Sequence, residues 1–213
     1  MNNIVKNLQN IKSSINNGNT NIIAVSKTFT LDKIKPLIDF GHNHFGENKV
    51  QEAKNKWSNL RQNNSKIQLH MVGRLQTNKV KDAVELFDYI HSVDNEKLAS
   101  TIVKYENLLG KKNKYFIQVN LGNESQKSGI NSDKLSDFYS FCKKISLNVI
   151  GLMCIPPKDN NSKKFFTELS NLSKFLKLEQ ISMGMSADYL DAVQCGSTFV
   201  RIGSAIFGNR IIK

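Results

Sequence analysis

A lysine stands at the end of the apolar run Ile22, Ile23, Ala24, Val25, in the stretch AVSKTFT, and an arginine stands inside a second such run, FVRIG. Two glycine-serine sets lie near the arginine: GMSADYL supplies Gly184 and Ser186, and RIGSAIFGNR supplies Gly203 and Ser204. A lysine amine condenses with a carbonyl as a Schiff base once it sheds its proton, which partial burial and a neighbouring cation both favour. Glycine and serine at a helix start offer amides and hydroxyls to an anion, commonly a phosphate. Each feature alone has an ordinary use, the lysine in a surface ion pair and the Gly-Ser sets in turns and caps. Together, Lys27, Arg201 and the two sets read as a carbonyl-trapping amine facing a phosphate cup.

That reading requires elements that bring position 27 to position 204. Eight short apolar runs read as strands: IIAVSK at 22, HFGEN at 44, QLHMVG at 68, YIHSVD at 89, YFIQVNL at 115, VIGLMCI at 149, QISMG at 180 and FVRIG at 199. Between them apolar residues recur at helical spacing, as in Val50, Ala53, Trp57, Leu60 and in Leu98, Ile102, Tyr105, Leu109, with Gly110 as a stop. Leu135, Phe138, Cys142, Ile145 follow a Ser132 cap, and Phe165, Leu169, Leu172, Leu176 form another stripe. Pro36 predicts a kink or an early break in the first crossover helix. The alternation implies an α/β fold, a (β/α)8 TIM-type barrel of one domain, residues 1–213, with an extra N-terminal helix carrying Ile4, Leu8, Ile11 and Ile15. An open doubly wound sheet needs a glycine-rich turn after the first strand, and VSKTFT has no glycine.

In such a barrel chemistry gathers at the C-terminal strand ends, with phosphate near the last two loops. Strand alternation turns Ile23, Val25 and Lys27 inward, and likewise Phe199, Arg201 and Gly203. Lys27 then faces the cup, and the inward Arg201 must meet an acceptor.

Composition narrows the classes. The 213 residues are 39% hydrophobic and 23% charged, with a net charge of +12. No run is long enough to cross a bilayer, and the first residues lack a secretory apolar core, so a cytoplasmic monomer away from membranes is expected. Cys142, Cys154 and Cys195 show no C-x-x-C spacing, and the four histidines no i, i+4 pairing, which argues against a metal. The lysines are spread among asparagines without a nucleic-acid motif, so the basic charge reads as a solvated surface.

The segments AVSKTFT, FGENKVQEAKNKW, LHMVGRLQTNK, QVNLGNESQKSGI, GLMCIPP, ISMGMSADYLDAV and GSTFVRIGSAIFGNR resemble, in order and spacing, the pyridoxal 5′-phosphate (PLP) homeostasis proteins, barrels related to the N-terminal domain of alanine racemase. The resemblance implies that Lys27 holds PLP as an internal aldimine, that Asn48 lies near the ring, that Ser186, Gly203 and Ser204 hold the phosphate, and that Arg201 sits against the pyridine nitrogen. Family members usually carry threonine where Ser204 stands, which keeps the hydroxyl.

A guanidinium leaves the ring nitrogen neutral and the cofactor a poor electron sink. With no second domain expected to cover the pocket, a non-catalytic carrier that passes PLP to apo-enzymes is the expectation. The alternative is an amino-acid racemase, whose second acid/base would have to be Tyr89 or Tyr115, both near strand starts. Lys79 and Lys127 would act as a relay, and the role of Arg74 stays open.

Overall fold

The computed structural model describes residues 3–16, 18–62, 66–122, 124, 128–157 and 161–208. Its strands are β1 (Asn21–Val25), β2 (His44–Glu47), β3 (Gln68–Met71), β4 (Tyr89–Val93), β5 (Lys114–Asn120), β6 (Ile130–Asn131), β7 (Val149–Cys154), β8 (Gln180–Ser182) and β9 (Phe199–Ile202). All pairings are parallel, in the order β4-β3-β2-β1-β9-β8-β7-β5, and β4 pairs with β5, so eight strands close into a ring. These are the eight expected strands. The two-residue β6, an addition, lies against the end of β5.

Among the described residues a helix follows each barrel strand: α2 (Leu31–Asp39), α3 (Val50–Gln62), α4 (Val80–Leu86), α5 (Glu96–Leu109), α6 (Leu135–Lys144), α7 (Ser162–Phe175), α8 (Tyr189–Gln194) and α9 (Ser204–Phe207). The additional helix, α1 (Asn3–Ile15), buries Ile4, Val5, Leu8, Ile11 and Ile15. Its Asn7 Nδ2 donates to Ile206 O at 3.0 Å, tying the first helix to the last.

Strand alternation sorts the core into two layers. Ile22, Ala24, Phe45, Leu69, Val200 and Ile202 pack toward the helices. Ile23, Val25, Val72, Tyr89, Phe116, Met153 and Phe199 fill the barrel interior. The parity expected for β1 and β9 therefore holds.

Three local expectations are corrected. Pro36 does not break α2, which runs on to Asp39 with Ile34 and Leu37 fully buried. Two buried aliphatic side chains contribute about 1.5–3 kcal/mol each, together enough to offset the roughly 3 kcal/mol an interior proline costs. Ser132 caps no α-helix; it opens a 3-10 turn over Ser132–Lys134 that leads into α6. In α7 the fully buried aromatic is Phe166, while Phe165 is half-buried, because the stripe that reaches the sheet passes through Phe166, Leu169 and Ser173. Gly110 ends α5 as expected, at φ 60°.

Candidate functional site

The expected site residues meet. Lys27, Asn48, Ser186, Arg201, Gly203 and Ser204 all line one cavity of about 680 Å³ at the C-terminal ends of the strands. Lys27 follows β1, Asn48 follows β2, Ser186 lies beyond β8, Arg201 points inward from β9, and Gly203 and Ser204 open α9. Val25, Val72 and Phe29 supply apolar wall, and Ile155 and Met185, 40% and 38% exposed, stand on the solvent side. Among the described residues no aspartate or glutamate lines the cavity, and Lys27 and Arg201 give it positive charge.

The two loops of the expected cup are physically joined, since Ser186 Oγ accepts from Ala205 N at 3.2 Å. At Gly203 an added Cβ would meet nothing nearer than 3.6 Å, so glycine here leaves the backbone open to the cavity. Gly184 has a different task from the one its sequence context suggested. It does not line the cavity; at φ +88° its missing Cβ would fall 2.5 Å from Ala192 Cβ, and its absence lets α8 pack close.

Arg201 does meet acceptors, all of them neutral. Nη1 donates to Ser182 O and to Ser182 Oγ at 2.7 Å each, and Nη2 donates to Cys154 O at 2.8 Å. The side chain is 5% exposed, and no carboxylate among the described residues lies within ion-pair reach. Burial pulls the guanidinium below its usual value, although an arginine of this kind keeps its charge. Cys154 cannot serve as the counter-anion, because burial pushes its thiol up to about 12.

Beneath Arg201 lies a column that residue-by-residue reading missed. His91 Nδ1 is 2.9 Å from Ser182 Oγ, His70 Nδ1 is 2.9 Å from His91 Nε2, and His44 Nδ1 is 2.9 Å from His70 Nε2. The tautomers follow from the arginine. Ser182 Oγ accepts from Arg201, and His91 Nδ1 is the one acceptor among the described residues within reach of its own hydrogen, so the hydroxyl donates to His91 and each imidazole below then carries its proton on Nε2. Burial holds His70 and His91 well below the usual histidine value and so keeps them neutral. The same parity count that turned Arg201 inward would have found these residues, which sit on four different strands.

A second missed group sits behind Lys27: Glu47, Glu52, Lys56 and Trp57, all inside the motif that begins FGEN. Tyr89 and Tyr115 lie away from the cavity. Tyr89 stacks on His70 at 4.3 Å, and Tyr115 donates to Glu106 Oε1 at 3.0 Å. Arg74 and Lys79 line a neighbouring cavity of about 760 Å³ with Lys49 and Asp94, and Asn48 borders both. Lys127 lies outside the described residues. Among the described residues no group of three or more His, Cys, Asp or Glu converges to hold a metal, and no helix is long and apolar enough to cross a membrane.

Residues 1–210 match the family described as alanine racemase, N-terminal domain. A pyridoxal phosphate homeostasis protein of Pasteurella multocida is 36% identical over 200 residues, covering 89% of this chain and 86% of that protein. The chain belongs to the pyridoxal phosphate homeostasis proteins, within the alanine racemase N-terminal domain family. Another such homeostasis protein, from Buchnera aphidicola, is 35% identical across 99% of this chain and 100% of its own length. PipY of Synechococcus elongatus with PLP bound superposes with a TM-score of 0.86 at 32% identity, covering 96% of this chain and 100% of PipY. Alanine racemase of Clostridium difficile, 18% identical with a TM-score of 0.76 over 98% of this chain and 57% of that enzyme, shares the barrel fold.

Proposed function

We propose that this chain binds PLP in the cavity around Lys27, buffers it and hands it to apo-enzymes that need it. The observation that carries the reading is the meeting of Lys27, Arg201, Ser186, Gly203 and Ser204 around about 680 Å³ of space that no carboxylate among the described residues borders. The fit is chemical as well as spatial: a buried guanidinium held only by neutral acceptors, beside two hydroxyls at the turn into α9, suits a dianionic phosphate and an aromatic nitrogen. PLP supplies an aldehyde. Lys27 Nζ attacks its carbon, C=N replaces C=O, and one water leaves; hydrolysis reverses the step and frees the vitamer. Ser186, Gly203 and Ser204 hold the phosphate, Asn48 borders the ring, and Arg201 donates to the ring nitrogen, which keeps that nitrogen unprotonated.

What borders the cavity supports binding over turnover. Neither Tyr89 nor Tyr115 reaches it, so neither opposes Lys27 as a second acid/base. The relatives from Pasteurella multocida and Buchnera aphidicola are homeostasis proteins by name. Residues 1–213 act as one cytoplasmic unit, monomeric in this reading, and the lysine-lined cavity beside Asn48 is where Lys79 would pass PLP onward.

Borohydride reduction of the PLP-loaded chain should fix a pyridoxyl group on Lys27, mapped by mass spectrometry, and Lys27→Ala should lose it. An equal yield of adduct at another lysine in that variant rejects the site. Incubation of the loaded chain with alanine in D2O should leave the α-proton in place; exchange at enzyme-like rates would turn the reading into the racemase alternative.

A further inference from the structure

The chain on either side of Lys27 is held more firmly than a strand end requires. Ser26 is fully buried and tied at every polar atom. Its N–H donates to Gly46 O at 2.9 Å, its hydroxyl donates to Glu47 Oε1 at 2.8 Å, and its carbonyl accepts from Lys56 Nζ at 2.9 Å. The Lys56 ammonium directs its other two hydrogens to Glu47 Oε1 at 2.9 Å and Glu52 Oε1 at 3.0 Å. Trp57 Nε1 donates to Glu47 as well, at 3.0 Å. On the far side of Lys27, the Thr28 N–H donates to Glu52 Oε1.

Phe29 N donates to Ser26 O at 3.2 Å, closing a four-residue turn with Lys27 second and Thr28 third. Thr28 has φ 69°. Positive φ at the third position is the type II requirement that glycine meets freely and a β-branched residue meets only under strain. Such strain persists where the surroundings enforce it, and it gathers where a side chain must be aimed. Glycine would adopt this turn without strain, whereas threonine adopts it only where its surroundings, here the Glu52 carboxylate, enforce it.

We propose that Glu52, acting through Thr28, and Glu47 with Lys56, acting through Ser26, form a clamp of positioning residues that aims the Lys27 amine into the cavity. The proposal rests on the PLP reading of that cavity. None of the three clamp residues lines it, so they act on Lys27 through the backbone.

The test has one arm on the free protein and one on the loaded protein. In the free protein, Glu52→Ala should speed amide hydrogen exchange at Thr28 by about tenfold or more, the factor expected for one lost bond to a charged acceptor, while β5 and β7 keep their protection. With PLP added, Glu52→Ala should slow formation of the borohydride-fixed Lys27 adduct by about tenfold. Thr28→Gly in the Glu52→Ala background should restore the rate to within about threefold of wild type, because glycine needs no clamp to hold the turn. A merely structural Glu52 predicts no such rescue.

Unchanged exchange at Thr28, or a double variant as slow as Glu52→Ala alone, overturns the clamp. If Glu52→Ala does not fold, Glu52→Gln, which keeps an oxygen acceptor without the charge, should show a smaller effect of the same sign in both arms, and no effect overturns the proposal. Wild type that takes no adduct at Lys27 defeats the PLP reading, whereas the exchange arm still decides the clamp.

Discussion

At the scale of single residues, Arg201 and Gly184 carry separable predictions. Arg201→Met removes the donor that three buried acceptors share, Ser182 O, Ser182 Oγ and Cys154 O. Leaving such groups unsatisfied costs on the order of 1–3 kcal/mol, so the ligand-free variant should show a lower urea midpoint even where PLP plays no part. An unchanged midpoint would mean that those acceptors find other donors. Gly184→Ala and Gly41→Ala make a matched pair. Both glycines have positive φ, but a Cβ at Gly41 meets nothing within 4 Å, whereas one at Gly184 meets Ala192 Cβ at 2.5 Å. Gly41→Ala should cost about 1 kcal/mol from backbone strain alone, and Gly184→Ala clearly more. Equal losses in thermal unfolding would show that the close packing of α8 is not what requires Gly184.

At the scale of elements, the column on β2, β3, β4 and β8 predicts its own protonation. Nitrogen-15 spectra of the imidazoles at pH 7 should show His70 and His91 neutral with the proton on Nε2. A proton on Nδ1 of His91 would contradict the polarity that Arg201 imposes. The column also sets a pH dependence. His42 is lowered to about 4 and His44, His70 and His91 are lowered as well, in every case chiefly by burial. The unfolded chain therefore binds more protons than the folded one below about pH 6.5. Stability should be full above that pH and fall on acidification, by up to about 1.4 kcal/mol per pH unit for each such histidine. A melting temperature that stays flat between pH 7.5 and pH 5 would show that the histidines are not buried as described. Parity on each strand was legible in the sequence; the alignment of four inward residues on four strands was not, because it depends on the register between strands.

For the whole molecule, closure is the decisive fact. β1 pairs with β2 on one side and with β9 on the other, with Ile23 opposite Arg201 and Ala24 opposite Ile202. That pairing carries Lys27 to Ser204 although most of the chain separates them in sequence. The ring has no free edge among its eight strands, and α1, with Leu8 fully buried, reinforces the seam by packing against α9. Leu8→Ala should cost about 2–5 kcal/mol, read as a lower denaturant midpoint with one cooperative transition. A separate early transition for the first helix would show instead that α1 is an independent attachment.

The sequence by itself determined the number and order of the barrel strands, the extra first helix, the inward faces of β1 and β9, and the placing of Lys27, Ser186, Arg201, Gly203 and Ser204 around one cavity. All of these rest on local periodicity and on what lysine, arginine, glycine and serine can do. Tertiary structure alone decided that α2 continues through Pro36, that Phe166 rather than Phe165 is buried, that neutral groups hold Arg201, and that Glu47, Glu52 and Lys56 grip the turn around Lys27. Those outcomes follow from burial and register among segments far apart in the chain, and a local pattern carries no information about either.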